Sequence, residues 1–582
     1  MNSSFLKSNT FIFLILGLIV FAVFGNALFN EFSYDDHYLI LDNPYIKDLT
    51  HFNEFLLSDV AMTTPIGRQS GYYRPVSMIF LLLNYHLWGM NSFGLHLMSI
   101  IIHLLNCFFV FLIIKRISKN FWISLLSASI FSVHPIHVEA VAPVFNYMGL
   151  LSSFFALFSF WAFLKSNALK DMRYVILSVS LFFLSVFSKE EAIVLPAIFV
   201  LYDFYFWSNY SFKNLFQKWK KYLLLIFPSI FYIVLRFLVF GQETAFGFWR
   251  MRFEFNVPAS DTIIDQVMMT AYIFFKYFSL LVVPTNLTAY YLIKPVSELA
   301  PFQIFVSIFV VFFVVGYGIM LAKKSPIVSF FIGWFFISSI MISNIIPIGG
   351  LFSERFMYFP SVAYCFLVGF LFYKIYKIWN KTNDRRKRLL FILGFLVVFS
   401  LYAQKSAARN YVWRNDITLW KDAIKKTPQS YRPYLNLAGS YHFYGEQYHD
   451  LALKHYLKAL EYSDVPRVRV ENSIGRFYGV RNQHKKALKH FLSALEVESS
   501  DIKTLYNIGI TYYFLGNDHL AEKYLKDVNR VDKDYPWGYY GLGMVYQRKG
   551  QKKRAKKFFE KTLEVEPNLE NARSALELLK DG

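Results

Sequence analysis

"GLHLMSIIIHLLNCFFVFLII", residues 94–114, contains no Asp, Glu, Lys or Arg and stops at Lys115-Arg116. Coiled as a helix it is long enough to cross the hydrocarbon core of a bilayer, about 30 Å. Similar runs recur on both sides of it. Across 582 residues the chain is 55% hydrophobic and 20% aromatic, with 65 Phe, and a soluble protein of this size would not carry so much apolar side chain. The fold class expected is all-α: a polytopic membrane helix bundle over residues 1–404, followed by a polar repeat unit over 405–582.

Eleven spans are expected, near 9–27, 94–114, 121–138, 147–164, 174–188, 190–208, 222–241, 301–321, 327–347, 357–377 and 389–404. The first run, Thr10 to Phe24 after Lys7, resembles a signal peptide, but Phe24-Gly25-Asn26-Ala27 is a weak cleavage site and further spans follow, so it reads as an uncleaved helix. Cys107 and Cys365 lie inside apolar runs and read as small core residues. The net charge of +21 clusters at span ends, which argues against nucleic acid as its partner.

With the N-terminus inside, the inner connections hold Lys7, the cations around 115–119, 165–173, 213–221 and 323–324, and the run from Lys374 to Arg388, twenty Lys and Arg in all. The outer connections hold eight: Lys47, Arg68, Arg74, Lys189, Arg250, Arg252, Lys294 and Arg355. That is a positive-inside bias. Two further apolar stretches, 75–90 and 264–283, read as helices lying in the outer interface.

This topology places the polar span ends on one face together with the outer loop at 28–93. They are Asp35-Asp36, Arg74, His134 and His137 with Glu139, Lys189-Glu190, and Glu354-Arg355. Charged groups at the ends of apolar helices are costly unless paired or wet. Asp35 and Asp36 suit a general base, one acid taking a proton while the other orients it or holds a divalent cation. Arg74, Lys189 and Arg355 suit phosphate oxygens, with snorkelling at the interface as the bland alternative. His134 and His137 share a helical face, but Pro135 bends it and no third metal ligand is evident, so with Glu139 they read as a polar wall or acceptor-binding loop. Glu190 and Glu354 belong to the same wall, unless Glu354 and Arg355 form a structural ion pair. There is no Walker loop, dinucleotide glycine fingerprint or serine nucleophile elbow.

Past residue 415 the chain repeats every 34 residues: Gly475, Gly509 and Gly543; Ala487, Ala521 and Ala555; Tyr478, Tyr512 and Tyr546. This is the tetratricopeptide pattern of paired helices. About four repeats are expected, after a leading half-repeat at 419–428, forming a superhelix that holds an extended protein segment.

Six stretches, in order, carry a family resemblance: "FSYDDHYLILDNPYIKDL" (32–49), "YYRPVSMIFLLLNYHLWGMNSFGLHLMSIIIHLLNC" (72–107), "FSVHPIHVEAVAPVFNYMGLLSSFFALFSF" (131–160), "SKEEAIVLPAIFVLYD" (188–203), "LLVVPTNLTAYY" (280–291) and "SERFMYFPSVAYC" (353–365). Together they resemble the transmembrane and tetratricopeptide-repeat-containing O-mannosyltransferases and their bacterial relatives. The resemblance implies a GT-C glycosyltransferase fold. It implies transfer of mannose from a polyprenyl-phosphate carrier to Ser or Thr of a protein, with inversion. The family's acidic motif falls on Asp35 and Asp36, its basic positions on Arg74, Lys189 and Arg355. The Phe-, Lys- and Asn-rich composition reads as bacterial. That makes undecaprenyl phosphate the expected carrier and the inner membrane, with site and repeats periplasmic, the expected location (the endoplasmic reticulum lumen in a eukaryote). Two rival readings are a GT-C transferase of another sugar or to a lipid or glycan, and a non-enzymatic repeat scaffold for envelope assembly.

Overall fold

A computed structural model of the chain describes residues 7–60, 71–245, 262–345, 351–381, 384–462, 465–567 and 569–580. Arg68, Arg250 and Arg252, counted above among the outer cations, lie outside the described residues, as does the end of the expected span 327–347. Every regular element is helical among the described residues. The chain divides into two compact units, Met1–Leu419 and Trp420–Gly582, so the first unit continues past residue 404.

Among the described residues of the first unit seven helices are long and apolar enough to cross a membrane: Asn9–Phe29, Ser92–Ser118, Val144–Leu169, Trp219–Phe240, Pro301–Met320, Ser361–Asn380 and Arg385–Arg414. An eighth is a bent pair, Phe121–Val133 and Pro135–Val141, which meet at 50°. The bend falls where Pro135 removes a backbone donor and forces His134 out of the helical region. The other three expected spans form shorter apolar helices: Met172–Ser188, Leu195–Phe206 and Pro326–Ser338. Lys189-Glu190-Glu191 and Pro196 interrupt what reads as continuous hydropathy between the first two. The stretches 75–90 and 264–283 form helices Pro75–Trp88 and Ile263–Val282.

Small polar residues let these helices approach closely. Ser159 Oγ donates to Ser178 O at 2.7 Å and Ser178 Oγ returns to Ser159 O at 2.9 Å. About two helical turns away, Ser152 and Ser185 do the same at 3.0 and 2.8 Å. Each pair joins Tyr147–Leu169 to Met172–Ser188 without leaving a polar group unpaired in the apolar core.

The second unit stacks four helix pairs, Tyr431–Phe443 with His449–Leu460, Arg467–Gly479 with His484–Val497, Ile502–Phe514 with Asp518–Val531 and Pro536–Arg548 with Lys552–Val565, then closes on Glu570–Lys580. Ala452, Ala487, Ala521 and Ala555 are fully buried where each pair crosses. Gly509 shows why the repeat demands glycine: a Cβ there would sit 2.7 Å from Leu525 Cγ.

Candidate functional site

The first loop is tied to the end of the last membrane-length helix. Asn410 Nδ2 donates to Val23 O at 2.9 Å, Asn30 Nδ2 to Asn410 O at 3.1 Å, and Glu31 N to Arg414 O at 2.8 Å. Beyond these, Asp416 takes Tyr34 N at 2.6 Å and His37 Nε2 at 2.8 Å. Tyr34 has φ 58°, left-handed backbone that its side chain adopts at a cost, and the Asp416 clamp over-determines it. The turn so fixed presents Asp35 and Asp36 in opposite senses.

Asp36 is fully buried. Its Oδ2 accepts Ser33 N at 3.0 Å and its Oδ1 accepts Phe145 N at 2.6 Å. This carboxyl pins the loop to the turn at Val144–Asn146. Asp35 is half-buried and faces the other way, bonded by the Tyr38 hydroxyl and within the field of the Arg355 guanidinium. Burial pushes the Asp35 carboxyl up to about 6, with Arg355 and Tyr38 opposing. Burial pushes Asp36 up to about 7 against its two backbone donors. Asp416 raises the His37 imidazole.

The cations come to the same region, each already paired. Ser77 Oγ bonds Ser188 O at 2.8 Å and Tyr147 OH bonds Ser77 O at 2.7 Å, which sets helix Pro75–Trp88 against the 188–191 turn. Arg74 then meets Glu190 through two parallel bonds, Nε–Oε2 at 2.9 Å and Nη2–Oε1 at 2.6 Å. Lys189 Nζ lies 2.6 Å from Glu191. Arg355 Nη1 bonds Glu139 Oε1 at 2.8 Å, while Glu139 Oε2 takes the backbone N–H of Glu354 at 2.7 Å. Lys189 Nζ and Arg355 Cζ stand 5.4 and 5.6 Å from the centre of the Phe356 ring. Arg355 is also 5.6 Å from Phe145, the residue that holds Asp36. Its side chain is 26% exposed, and among the described residues Nη1 is its one bonded guanidinium nitrogen.

Beside this cluster a small cavity of about 20 Å³ is lined by Gly149, Ser152, Ser153, Glu191, Phe356 and Pro360 among others. Lys189 Nζ lies 3.7 Å from where a Cβ on Gly149, one of the lining residues, would be.

Three residues expected on the wall are not there. His134 is fully buried, its Nε2 on Leu281 O at 2.9 Å and its Nδ1 accepting Ile136 N at 3.2 Å. His137 is equally buried between Phe131 O at 2.8 Å and Ser361 Oγ at 2.7 Å. Both imidazoles fasten the helix bend. Glu354 is fully buried too, and its partner is Arg409, through three contacts of 2.7–3.2 Å, not Arg355. Thr288 N and Tyr291 OH complete its shell at 2.7 Å each. Both Asp36 oxygens accept backbone N–H groups, and among the described residues no three His, Cys, Asp or Glu side chains are placed to hold a metal ion.

Sequence reasoning missed Tyr38, Glu191, Arg409 and Asp416. Glu191 stands in the same "SKEEA" stretch as Lys189. Arg409 and Asp416 close the last membrane-length helix, and the cost of charge at a span end that singled out Arg355 singles them out as well.

Fold and site together define a multi-pass membrane protein with a polar site at one end of its bundle, followed in the chain by a tetratricopeptide unit. Tetratricopeptide repeat family models match residues 502–535 and 536–569. The chain is similar to Protein O-mannosyl-transferase TMTC3 of Homo sapiens, 24% identical over 506 residues, covering 81% of this chain and 53% of that protein. It is similar to Protein O-mannosyl-transferase F38B6.6 of Caenorhabditis elegans, 24% identical over 71% of this chain and 57% of that protein. The family resemblance read from the motifs is borne out by these relatives. The chain spans about half the length of the relatives it matches. Among solved structures, the apo Archaeoglobus fulgidus oligosaccharyltransferase aligns with 69% of this chain and 56% of its own, at 14% identity and TM-score 0.43.

Proposed function

We propose that the chain is a GT-C membrane glycosyltransferase that moves mannose from a polyprenyl-phosphate donor to Ser or Thr hydroxyls of a protein, with inversion. One observation carries this reading: half-buried Asp35 lies in the field of Arg355, which has donors to spare and shares the Phe356 ring with Lys189. The cations suit the phosphate of a lipid carrier, and the apolar helices around them its prenyl chain. The names of the relatives supply the reaction class and the protein acceptor.

In this scheme Asp35 takes the acceptor hydroxyl proton as the oxygen bonds the anomeric carbon from the face opposite the phosphate. The carbon–oxygen bond to phosphate breaks, and its charge passes to Arg355 Nε and Nη2. Asp36 and Asp416 act through the loop, one below it and one beside it. A carboxyl at about 6 is a suitable base near neutral pH, strong enough to accept a proton and ionised most of the time. Arg74 and Lys189, neutralised by Glu190 and Glu191, shape the phosphate pocket more than they charge it.

The site and the repeats face the periplasm of a bacterial inner membrane in this reading, and the repeats select the protein acceptor. The deciding experiment supplies purified protein with polyprenyl-phosphate mannose and an acceptor peptide. Mannose transfer by wild type and its loss in Asp35→Asn is the expected result. Transfer that survives Asp35→Asn overturns the assignment of the base, and a reporter active in the cytoplasm when fused after residue 582 overturns the sidedness.

A further inference from the structure

We infer that the outward face of the repeat unit carries a docking surface for anionic phospholipid. In each of the four repeats an exposed lysine follows the buried alanine by two residues: Lys454 after Ala452, Lys489 after Ala487, Lys523 after Ala521 and Lys557 after Ala555. Two residues along a helix is a rotation of about 200°, so each lysine points away from the face its alanine buries. Because the repeats stack in register, the four lie in one row.

The row is thickened at the cost of local rules. Lys485 and Lys553 stand one helical turn before Lys489 and Lys557. Helices His484–Val497 and Lys552–Val565 have no acidic residue in the first turn and open on cations instead. A cation at a helix N-terminus opposes the helix dipole, and like charges four apart repel. Among the described residues none of these six lysines has an acidic side chain within salt-bridge distance; Lys523 lies 5.7 Å from the centre of the Tyr524 ring, and Lys485, Lys489, Lys553 and Lys557 have no acid to offset their repulsion. Of the acids near the row, Asp527 is held by Arg530 at 2.7 Å and Glu560 by Lys556 at 3.8 Å, while Asp450 takes the place of Lys485 in the first pair. Local rules broken without compensation inside the fold mark a surface shaped by what it binds.

The charges are lysines, compact and strongly hydrated, in an extended row. That suits a diffuse anionic surface over a single bidentate group. The unit follows directly on the membrane-length helix Arg385–Arg414, so a bilayer is always within reach of it. Lysines near such a surface bind through its negative potential and lose that attraction in salt.

The test uses the full chain in nanodiscs of phosphatidylcholine, with or without phosphatidylglycerol. The acylation rate of each lysine is read by mass spectrometry. Phosphatidylglycerol should slow acylation of the six lysines several-fold, and high salt should restore it. In K454E/K489E/K523E/K557E, with helicity unchanged by circular dichroism, Lys485 and Lys553 should react equally in both discs. The salt arm on wild type stands even where that variant fails to fold. Equal wild-type rates in the two discs, or slowing that salt does not relieve, would overturn the proposal. Protection by added polyglutamate in neutral discs, with none from phosphatidylglycerol, would assign the row to an acidic protein instead.

Discussion

His37 Nε2 lies 2.8 Å from Asp416 Oδ2, and the other oxygen of that carboxylate takes Tyr34 N at 2.6 Å. Residues at opposite ends of the first unit thus fix the turn that carries the candidate base. Asp416→Ala removes both bonds. It should cost roughly 1–3 kcal/mol and expose the 30–42 turn to protease. Thermal unfolding together with limited proteolysis checks this, and unchanged cleavage would mean the clamp is incidental.

Stability and turnover should move in opposite directions with pH. Asp35, Asp36 and His37 all have folded pKa values raised above their ordinary ones. A raised group contributes stability that is complete below its unfolded pKa and is lost as pH rises through its folded pKa. Loop 1 should therefore resist protease better at pH 5 than at pH 7.5. Turnover needs ionised Asp35, so it should fall below pH of about 6. Parallel loss of stability and activity on acidification would contradict this assignment.

The two adjacent acids should part company under mutation. Asp35→Asn removes a proton acceptor and should lower kcat by roughly 10²–10⁴ while leaving the melting temperature close to wild type. Asp36→Asn turns an amide toward a backbone N–H of Ser33 or Phe145 and should destabilise by about 1–3 kcal/mol. Melting curves and kcat on the same preparations separate the two roles.

Arg74 and Glu190 form a closed pair with side chains 14% and 11% exposed. Arg74→Met alone leaves a buried carboxylate unpaired and should cost about 3–5 kcal/mol. The double variant Arg74→Met/Glu190→Leu should recover most of that. Recovered folding with donor KM within a few-fold of wild type is the expected outcome. A donor KM raised a hundredfold in the stable double variant would return Arg74 to the phosphate.

Gly509→Val places a branched side chain against Leu525 and should destabilise the repeat unit by about 1–3 kcal/mol. With the chemistry in the first unit, transfer to a long protein acceptor should weaken far more than transfer to a short Ser- or Thr-containing peptide. Equal losses with both acceptors would show that the repeats help build the site.

Hydropathy, charge bias and the 34-residue period by themselves determined that this chain is an all-helical membrane bundle followed by tetratricopeptide repeats, and they singled out the Asp35-Asp36 turn. Those are properties of a chain read locally, since a run of twenty apolar residues or a buried alanine every repeat needs no knowledge of neighbours. Only the tertiary structure decided what each charge does, because that depends on which helix ends meet. Arg74 finds Glu190 across 116 residues, Arg355 finds Glu139 across 216 and His37 finds Asp416 across 379. The same packing buried His134 and His137 at a proline bend and broke the apparent spans at 174–208 around Lys189. It also gave two adjacent acids opposite environments, since a turn of backbone points successive side chains to different sides and only one side here faces the cations.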